Sequence, residues 1–457
     1  MSAIRSAGAL VLALAFSASS GAATFTVDTT ADSVDANPGD GVCADAKGAC
    51  SLRAAIGETN ALAGADVVEL PAGTFALAIA GIGEDLSATG DLDISDDVTL
   101  EGDGADATRI DGNAEDRVIE MHAGGGRRAI GLKGLTVQNG ALVNANASGG
   151  AGLRVGVGVH LRLDDVAIRD NRATQTFGAI AIDTQGCVEG AHVRILDNRD
   201  TAGTGSGTAV AAVRVYEDGE TDTGACFTLE DSEISGNRAD WAGAIEADFA
   251  PVTIRRSLIS DNEARFAGAL LLNVAADTLL ENVTISGNRG DPGAILNDGG
   301  SHLTLVNSTV TLNSGGKLGA NVGGIQDVHG GFGLTFLSNT IVYGNGPGFI
   351  ADDCDRATSV GGGNIIGDGA RCHFDATPWD QLDVDPGLGP LADNGGFTRT
   401  HLPGAAAIDR AQPAACPPTD QRGVPRPLDG DDDLEPACDA GAVEMQRDGI
   451  FGNGFDA

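Results

Sequence analysis

Residues able to do chemistry are plentiful in this chain but scattered. There are 65 Asp and Glu against 28 Lys and Arg, with seven histidines and eight cysteines in 457 residues. The densest run of oxygen ligands is DGDDDLEP at 429–436. Asp429, Asp431, Asp433 and Glu435 alternate there, so a loop could offer several hard oxygens to Ca2+. The run is not an EF-hand, because the sixth-position glycine and the distal glutamate are missing. A solvated acidic loop is the competing reading. Asp164 and Asp165 in HLRLDDVAI form the nearest carboxylate pair. Cutting a glycosidic bond needs two carboxyl groups about 5–9 Å apart, one of them held protonated. Asp165 stands where other repeats carry a turn residue, which favours a turn role. The histidines form no HExxH, and no GxSxG elbow is present. The sequence therefore names Ca2+ as a candidate ion and no catalytic residue.

The cysteines read as disulfides. Zinc would need thiols clustered in fours or paired as C-x2-C, and neither pattern occurs. Cys187 lies eleven residues before Asn198, and Cys226 eleven before Asn237. If each asparagine marks one repeat, stacking puts the two cysteines about 4.8 Å apart, within the Cα window of a disulfide. Proximity in the chain pairs Cys43 with Cys50, Cys354 with Cys372 and Cys416 with Cys438.

Eight asparagines mark those repeats: Asn139, Asn171, Asn198, Asn237, Asn262, Asn288, Asn313 and Asn345, at intervals of 25 to 39 residues. Just before them stand Val137, Ile168, Ile195, Ile234, Ile259, Ile285, Val310 and Val342, all β-branched. An aliphatic residue further upstream (Leu163, Leu229, Ile254, Leu280, Leu305, Leu337) is replaced by Gly131 and Gly190 in two repeats. Between the two positions comes a polar residue, from Lys133 to Asn339. Each repeat thus reads as strand, turn, strand and asparagine. A small-plus-aliphatic step follows, GAI at 178–180, 243–245 and 293–295, GAL at 268–270 and GGI at 323–325. Three short strands per repeat imply an all-β chain, a right-handed parallel β-helix. No single coil can bury its inner face alone, so stacking must offset the cost of ordering the backbone. The asparagines suit a ladder, because Asn tolerates left-handed turns and its amide can reach the next coil. A ligand-binding role for the row is the alternative.

An open solenoid end exposes apolar core and unpaired strand edge, which invites aggregation. CSLRAAIGETNA at 50–61 reads as the lid. Ser51 is an N-cap, and Leu52, Ala55, Ile56 and Thr59 share one helical face. The strands DVVELPAGTF (66–75) and DVTLEGDG (97–104) begin the coils beneath it.

Arg5, an apolar run over 8–16 and the small residues SASSGAA give residues 1–23 the pattern of an export signal. No later segment has about 20 apolar residues in a row, so no transmembrane helix is expected. A net charge of −37 repels nucleic acid and anionic lipid and leaves divalent cations as natural companions.

Two stretches resemble known domains. TFTVDTTADSVDANPGDGVC, CSLRAAI and LPAGTF together resemble the domain named for its CSLREA motif, which precedes β-helices in exported bacterial proteins. Ala54 stands where that motif has Glu, so the reciprocal acid of a capping box is absent. DPGLGPLADNGGFTRTHLPGAAAIDRA, DQRGVPRP and CDAGAVE, with GGGNIIGDGARCHF before them, resemble the closing domain of the choice-of-anchor Q group of surface proteins. The resemblance implies export and architecture, and no reaction.

The expected layout is a signal peptide at 1–23, a cap with first strand at 24–75 and β-helix coils at 76–346. A closing domain at 347–445 and a tail at 446–457 follow. The expected function is a secreted or surface-displayed scaffold that binds or adheres, with a glycan or cell-surface ligand as partner. A carbohydrate-active enzyme, lyase or hydrolase, is the alternative. Length variation falls at 141–150, 198–208 and 216–224, so a ligand is expected near those loops.

Overall fold

In the computed structural model the chain winds as a parallel β-helix. The structure describes residues 21–142, 149–174, 178–200, 209–218, 224–315, 322–328, 334–346, 353–356, 361–372 and 376–445. Residues 1–20 of the export signal and the tail lie outside the described residues. Coils contribute strands to a 21-stranded parallel ladder and to a separate ten-stranded one. Equivalent aliphatics stack in register: Leu229 on Ile254, then Leu280, Leu305 and Leu337. Ile168, Ile195, Ile234, Ile259, Ile285, Val310 and Val342 make a second buried row. The polar residue between the two rows turns the chain in left-handed geometry. Asp165, His192, Asp231, Arg256, Asn282, Asn307 and Asn339 all have φ between 43° and 56°.

Seven asparagines form one continuous file. In each, Nδ2 donates to Oδ1 of the next coil, from Asn171 onto Asn198 at 3.0 Å through Asn313 onto Asn345 at 2.8 Å. The backbone N–H of each donates to that same oxygen. The Asn-to-Asn bonds all run toward the C-terminus, while each Nδ2 from Asn198 onward also donates to a carbonyl of the preceding coil. The last acceptor of the file is Asp353 Oδ1, 2.8 Å from Asn345 Nδ2. An acceptor-only side chain suits that end, since no donor is needed beyond it.

Two expectations need correction. Asn139 is not in the file. It follows Val137 by two residues where the others follow by three, so pairing Val137 with Ile168 sets Gly140 opposite Asn171. The Gly140 N–H takes the ladder bond at 2.9 Å, while Asn139 has φ 56° and donates to Asp111. By the same shift Leu132, not Gly131, pairs with Leu163. Nor do the ladder asparagines adopt left-handed geometry; the residue before each does, as at Asp170, Asp197 and Asp261.

The glycines that open the GAI, GAL and GGI steps have a steric cause. A Cβ on Gly243, Gly268 or Gly293 would overlap the carbonyl oxygen of the glycine one coil on. Coils approach too closely there for any side chain.

The helix spans Leu52–Ala61, and Ser51 Oγ accepts the Ala54 N–H at 3.1 Å. It packs on the strands Asp66–Leu70 and Leu92–Ile94, over the first coils. It is not solvated on its outer side, as a simple lid would be. Arg53 is buried, pairing with Asp32 at 2.6 Å and donating to the carbonyls of Gly90 and Asp91. Glu58 accepts the N–H groups of Gly39 and Gly41, which draws the preceding loop across the helix.

All eight cysteines pair as the spacing implies: Cys43–Cys50, Cys187–Cys226, Cys354–Cys372 and Cys416–Cys438. Cys187 and Cys226 face each other on adjacent strands, with Cα atoms 4.4 Å apart.

The C-terminal segment runs back along the solenoid flank. It meets the turn row there: Asn282 donates to Thr419 O, Asn307 to Asp439 O and Asn339 to Gln412 O. His401 is buried between Ser286 Oγ at 2.9 Å and Gly389 O at 2.7 Å.

Candidate functional site

Strand pleating puts one outward residue at the centre of each strand of the ten-stranded sheet. Its neighbours, such as Leu92 and Ile94, point into the core. Register makes the outward residues a single row: Asp93, Glu120, Arg154, Ala181, Arg214, Glu246, Leu271, Leu296, Gln326 and Asp355. Outward charges are normally solvated, yet Asp93, Glu120 and Glu246 are buried. This face is therefore walled, and its charged groups answer to one another more than to water.

The N-terminal end of the row is an ion-pair network. One oxygen each from Asp91, Asp93 and Glu120 lies within 4.8 Å of the others. Arg117 Nη1 reaches Asp91 at 3.2 Å, and Glu120 pairs with both Arg117 and Arg154. Arg154 continues to Asp183 at 2.9 Å. Burial pushes Asp91 up to about 7; Arg117 opposes the rise, while Asp93 and Asp116 reinforce it. Two guanidinium groups already occupy the space a cation would need, so the cluster reads as a structural network.

The middle of the row is built differently. Glu246 lies on the strand Ile245–Asp248, and Arg214 is its partner on the strand Val213–Tyr216. Arg214 reaches both acids, with Nε 3.6 Å from Glu246 and Nη2 3.2 Å from Asp248. Its guanidinium carbon lies 4.7 Å from the centre of the Tyr216 ring. The next strand, Leu270–Val274, slips in register between Ala247 and Asp248, and Val274 rather than Asn273 pairs with Asp248. A bulge of this kind re-aims a side chain, and Asn273 Nδ2 donates to Glu246 Oε1 at 2.8 Å. Burial, then the charge of Asp248, pushes Glu246 up to about 7 against Arg214, Trp241 and Asn273. Trp241, half-buried, stands beside this group with its ring centre 4.0 Å from that of Phe266. Val210, Ala242, Ala267 and Leu271 form a small apolar cluster, separate from the main core, against which Trp241 and Leu296 pack.

Of the residues singled out by sequence, the acidic loop is only partly convergent. Oxygens of Asp429 and Asp431 come within 4.8 Å of one another together with Asp409, but Asp433 and Glu435 are not in that group. The loop also uses these carboxylates as turn acceptors. Asp429 takes the N–H of Asp432 and Leu434, Asp431 that of Asp433, and Asp433 that of Glu435. Asp165 sits in a turn at φ 50° and accepts the Ala105 N–H. Arg422 pairs with Asp420, and buried Arg426 with Glu444, inside the closing segment.

Residues 143–148, 201–208 and 219–223 of the three long loops lie outside the described residues. Described parts of two of those loops border the ten-stranded sheet, whereas Ala141–Leu142 and Arg199–Asp200 pair in a separate three-stranded sheet. Gly149 and Gly150 carbonyls receive Arg117, and Tyr216 ends a strand of the sheet. Sequence reasoning missed Arg214, Glu246, Asp248, Asn273 and Trp241. A signal was present: Glu246 directly follows GAI, where the matching repeats carry Leu271 and Leu296.

A family model for the right handed beta helix region matches residues 204–374. Among solved structures, the chain is similar to a crystal structure of the pectate lyase Pel9A. Identity is 12% and the TM-score 0.42, over 93% of this chain and 96% of that one. No curated protein matches.

Proposed function

We propose that this β-helix is an exported scaffold that binds a glycan on the outward face of its ten-stranded sheet, at Trp241. The observation that carries the reading is an aromatic platform beside a dense hydrogen-bonding set. A pyranose ring offers axial C–H groups to an indole face and hydroxyls to side-chain acceptors and donors. Trp241 and Phe266 supply the first, and Arg214, Glu246, Asp248 and Asn273 the second. A few convergent polar groups against an apolar wall is the general form of a small-ligand site. Tyr216, where the stretch 216–224 begins, lies over Arg214 at its edge.

Four disulfides fit an oxidising compartment, which agrees with export through residues 1–23. Among the described residues no helix is long and apolar enough to cross a membrane. The layout proposed with this function keeps a CSLREA-like cap over 24–75, coils over 76–346 and a choice-of-anchor Q-like closing domain over 347–445.

Glycan-array screening of the mature protein beside Trp241→Ala tests the reading. Wild type should bind a defined group of glycans, and Trp241→Ala should lose about tenfold or more in affinity while its circular dichroism spectrum stays that of the folded protein. Equal binding by both proteins would remove Trp241 from any site.

A further inference from the structure

The same face carries the parts of a hydrolytic site. We propose that Glu246 and Asp248 are an acid and base pair that hydrolyses a glycosidic bond of a neutral polysaccharide held on Trp241. The inference rests on the glycan-binding reading of this face.

Three geometric observations support it. Glu246 and Asp248 are alternate residues of one strand and converge on one guanidinium, that of Arg214. Both carboxylates therefore stand close to the Arg214 head group on one face of the sheet. The register slip at Ala247/Asp248 breaks an otherwise regular stack of coils at that point and delivers Asn273 to Glu246. Bulges of this kind gather beside active sites, where they direct a side chain. Trp241 and Phe266 stand alongside, so a bound sugar would have its ring plane fixed before reaction.

The two acids differ in environment. Burial and the neighbouring Asp248 hold Glu246 up to about 7, so much of it is neutral in mildly acidic to neutral water. The side chain of Asp248 is more accessible than that of Glu246, 12% against 6%, and Arg214 lies closer to it. Glu246 then gives its proton to the glycosidic oxygen as the bond from that oxygen to the anomeric carbon breaks. A water molecule adds to the anomeric carbon on the opposite side and loses its proton to Asp248. The products are two hydroxyl-ended sugars, one with inverted anomeric configuration, and solvent returns the proton from Asp248 to Glu246.

Charge selects the substrate class. A chain of net charge −37 repels a polyuronate, and the floor of the site sets two of its acids against one arginine. A neutral chain meets no such barrier.

The test is reducing-end release from xylan, mixed-linkage β-glucan and galactan, with polygalacturonate as the anionic comparison, alongside equilibrium binding of the same polymers. Expected is cleavage of a neutral polymer, with kcat falling at least a hundredfold in Glu246→Gln while binding persists. The wild-type rate should also fall tenfold per pH unit above about 7. Asn273→Ala, which removes a donor to the ionised carboxylate, should move that limb upward. Its shift separates a catalytic from a merely structural Glu246, even if Glu246→Gln fails to fold. Binding without cleavage by wild type would overturn the hydrolysis and leave the binding site standing; absence of both would overturn both. Full activity in Glu246→Gln would remove its role, and a retained anomer that of Asp248. Cleavage of polygalacturonate alone would overturn the substrate class.

Discussion

Replacing Asn262 by alanine should destabilise the solenoid far more than any change at Asn139, although both residues belong to the same sequence series. Asn262 Oδ1 accepts from Asn237 N at 3.0 Å and from Asn237 Nδ2 at 2.9 Å. Its own Nδ2 donates to Ile234 O and to Asn288 Oδ1, both at 2.9 Å. Alanine deletes four bonds in a site closed to water, at about 1 kcal/mol each, or about 4 kcal/mol together. Unfolding entropy near 2.1 cal/mol/K per residue, over a chain of this length, totals about 0.9 kcal/mol/K. The melting temperature should then fall by about 4 °C, and by more if fewer coils unfold together. Asn139 makes one side-chain bond, to Asp111, and sits at a positive φ that glycine accepts freely. Asn139→Gly should therefore cost less than about 1 kcal/mol. Differential scanning calorimetry of the two variants beside wild type reads both shifts. Equal losses, or a shift under 1 °C for Asn262→Ala, would refute the register that puts seven asparagines in one file.

Stability should rise on mild acidification. Asp91, Glu246 and Asp439 are each pushed up to about 7, chiefly by burial. Between their unfolded values near 4 and about pH 7 the folded chain binds more protons, so this stabilisation is lost as pH rises through 7. Buried His401 is pushed down and acts oppositely below its unfolded value of about 6.5, one group against three. The melting temperature at pH 5 should exceed that at pH 8, and the reverse order would contradict these environments. Gly268→Ala should prevent normal folding, because the added carbon meets the backbone of Gly293 and Arg289. Gly57→Ala should instead gain up to about 1 kcal/mol, since it lies inside the helix with only Asp35 Cβ near, at 3.8 Å; circular dichroism melts compare the pair. Arg53→Met should cost about 3–5 kcal/mol in chemical denaturation by leaving Asp32 buried without its cation.

The fold was legible because a solenoid writes its register into the sequence. β-Branched residues recur ahead of each asparagine, and Cys187 and Cys226 keep the same phase, which predicted their pairing. Where spacing changed by one residue, at Val137–Asn139, the pattern misled, since only strand pairing reveals that Gly140 holds the ladder position. The helix was legible as a cap but not as a buried element. Nothing in their spacing marks Arg53 and Glu58 as buried; Asp32 and the Gly39 and Gly41 amides, distant in sequence, enclose them. The candidate site was not legible. Its residues come from separate coils, Arg214 and Glu246 being 32 positions apart, and no local motif links them. Asp429–Glu435 drew notice by density, whereas Glu246 depends on burial and on a bulge that spacing alone does not announce.

The account turns on Trp241 being where a glycan lands, and the chain offers a direct reporter. It has two tryptophans, Trp241 and the more exposed Trp379. With Trp379→Phe, all indole emission comes from position 241. Titrating that variant with a neutral oligosaccharide selected by array should produce a saturable change in intensity and wavelength. An emission spectrum that stays fixed while the same sugar binds by calorimetry would place the binding site elsewhere.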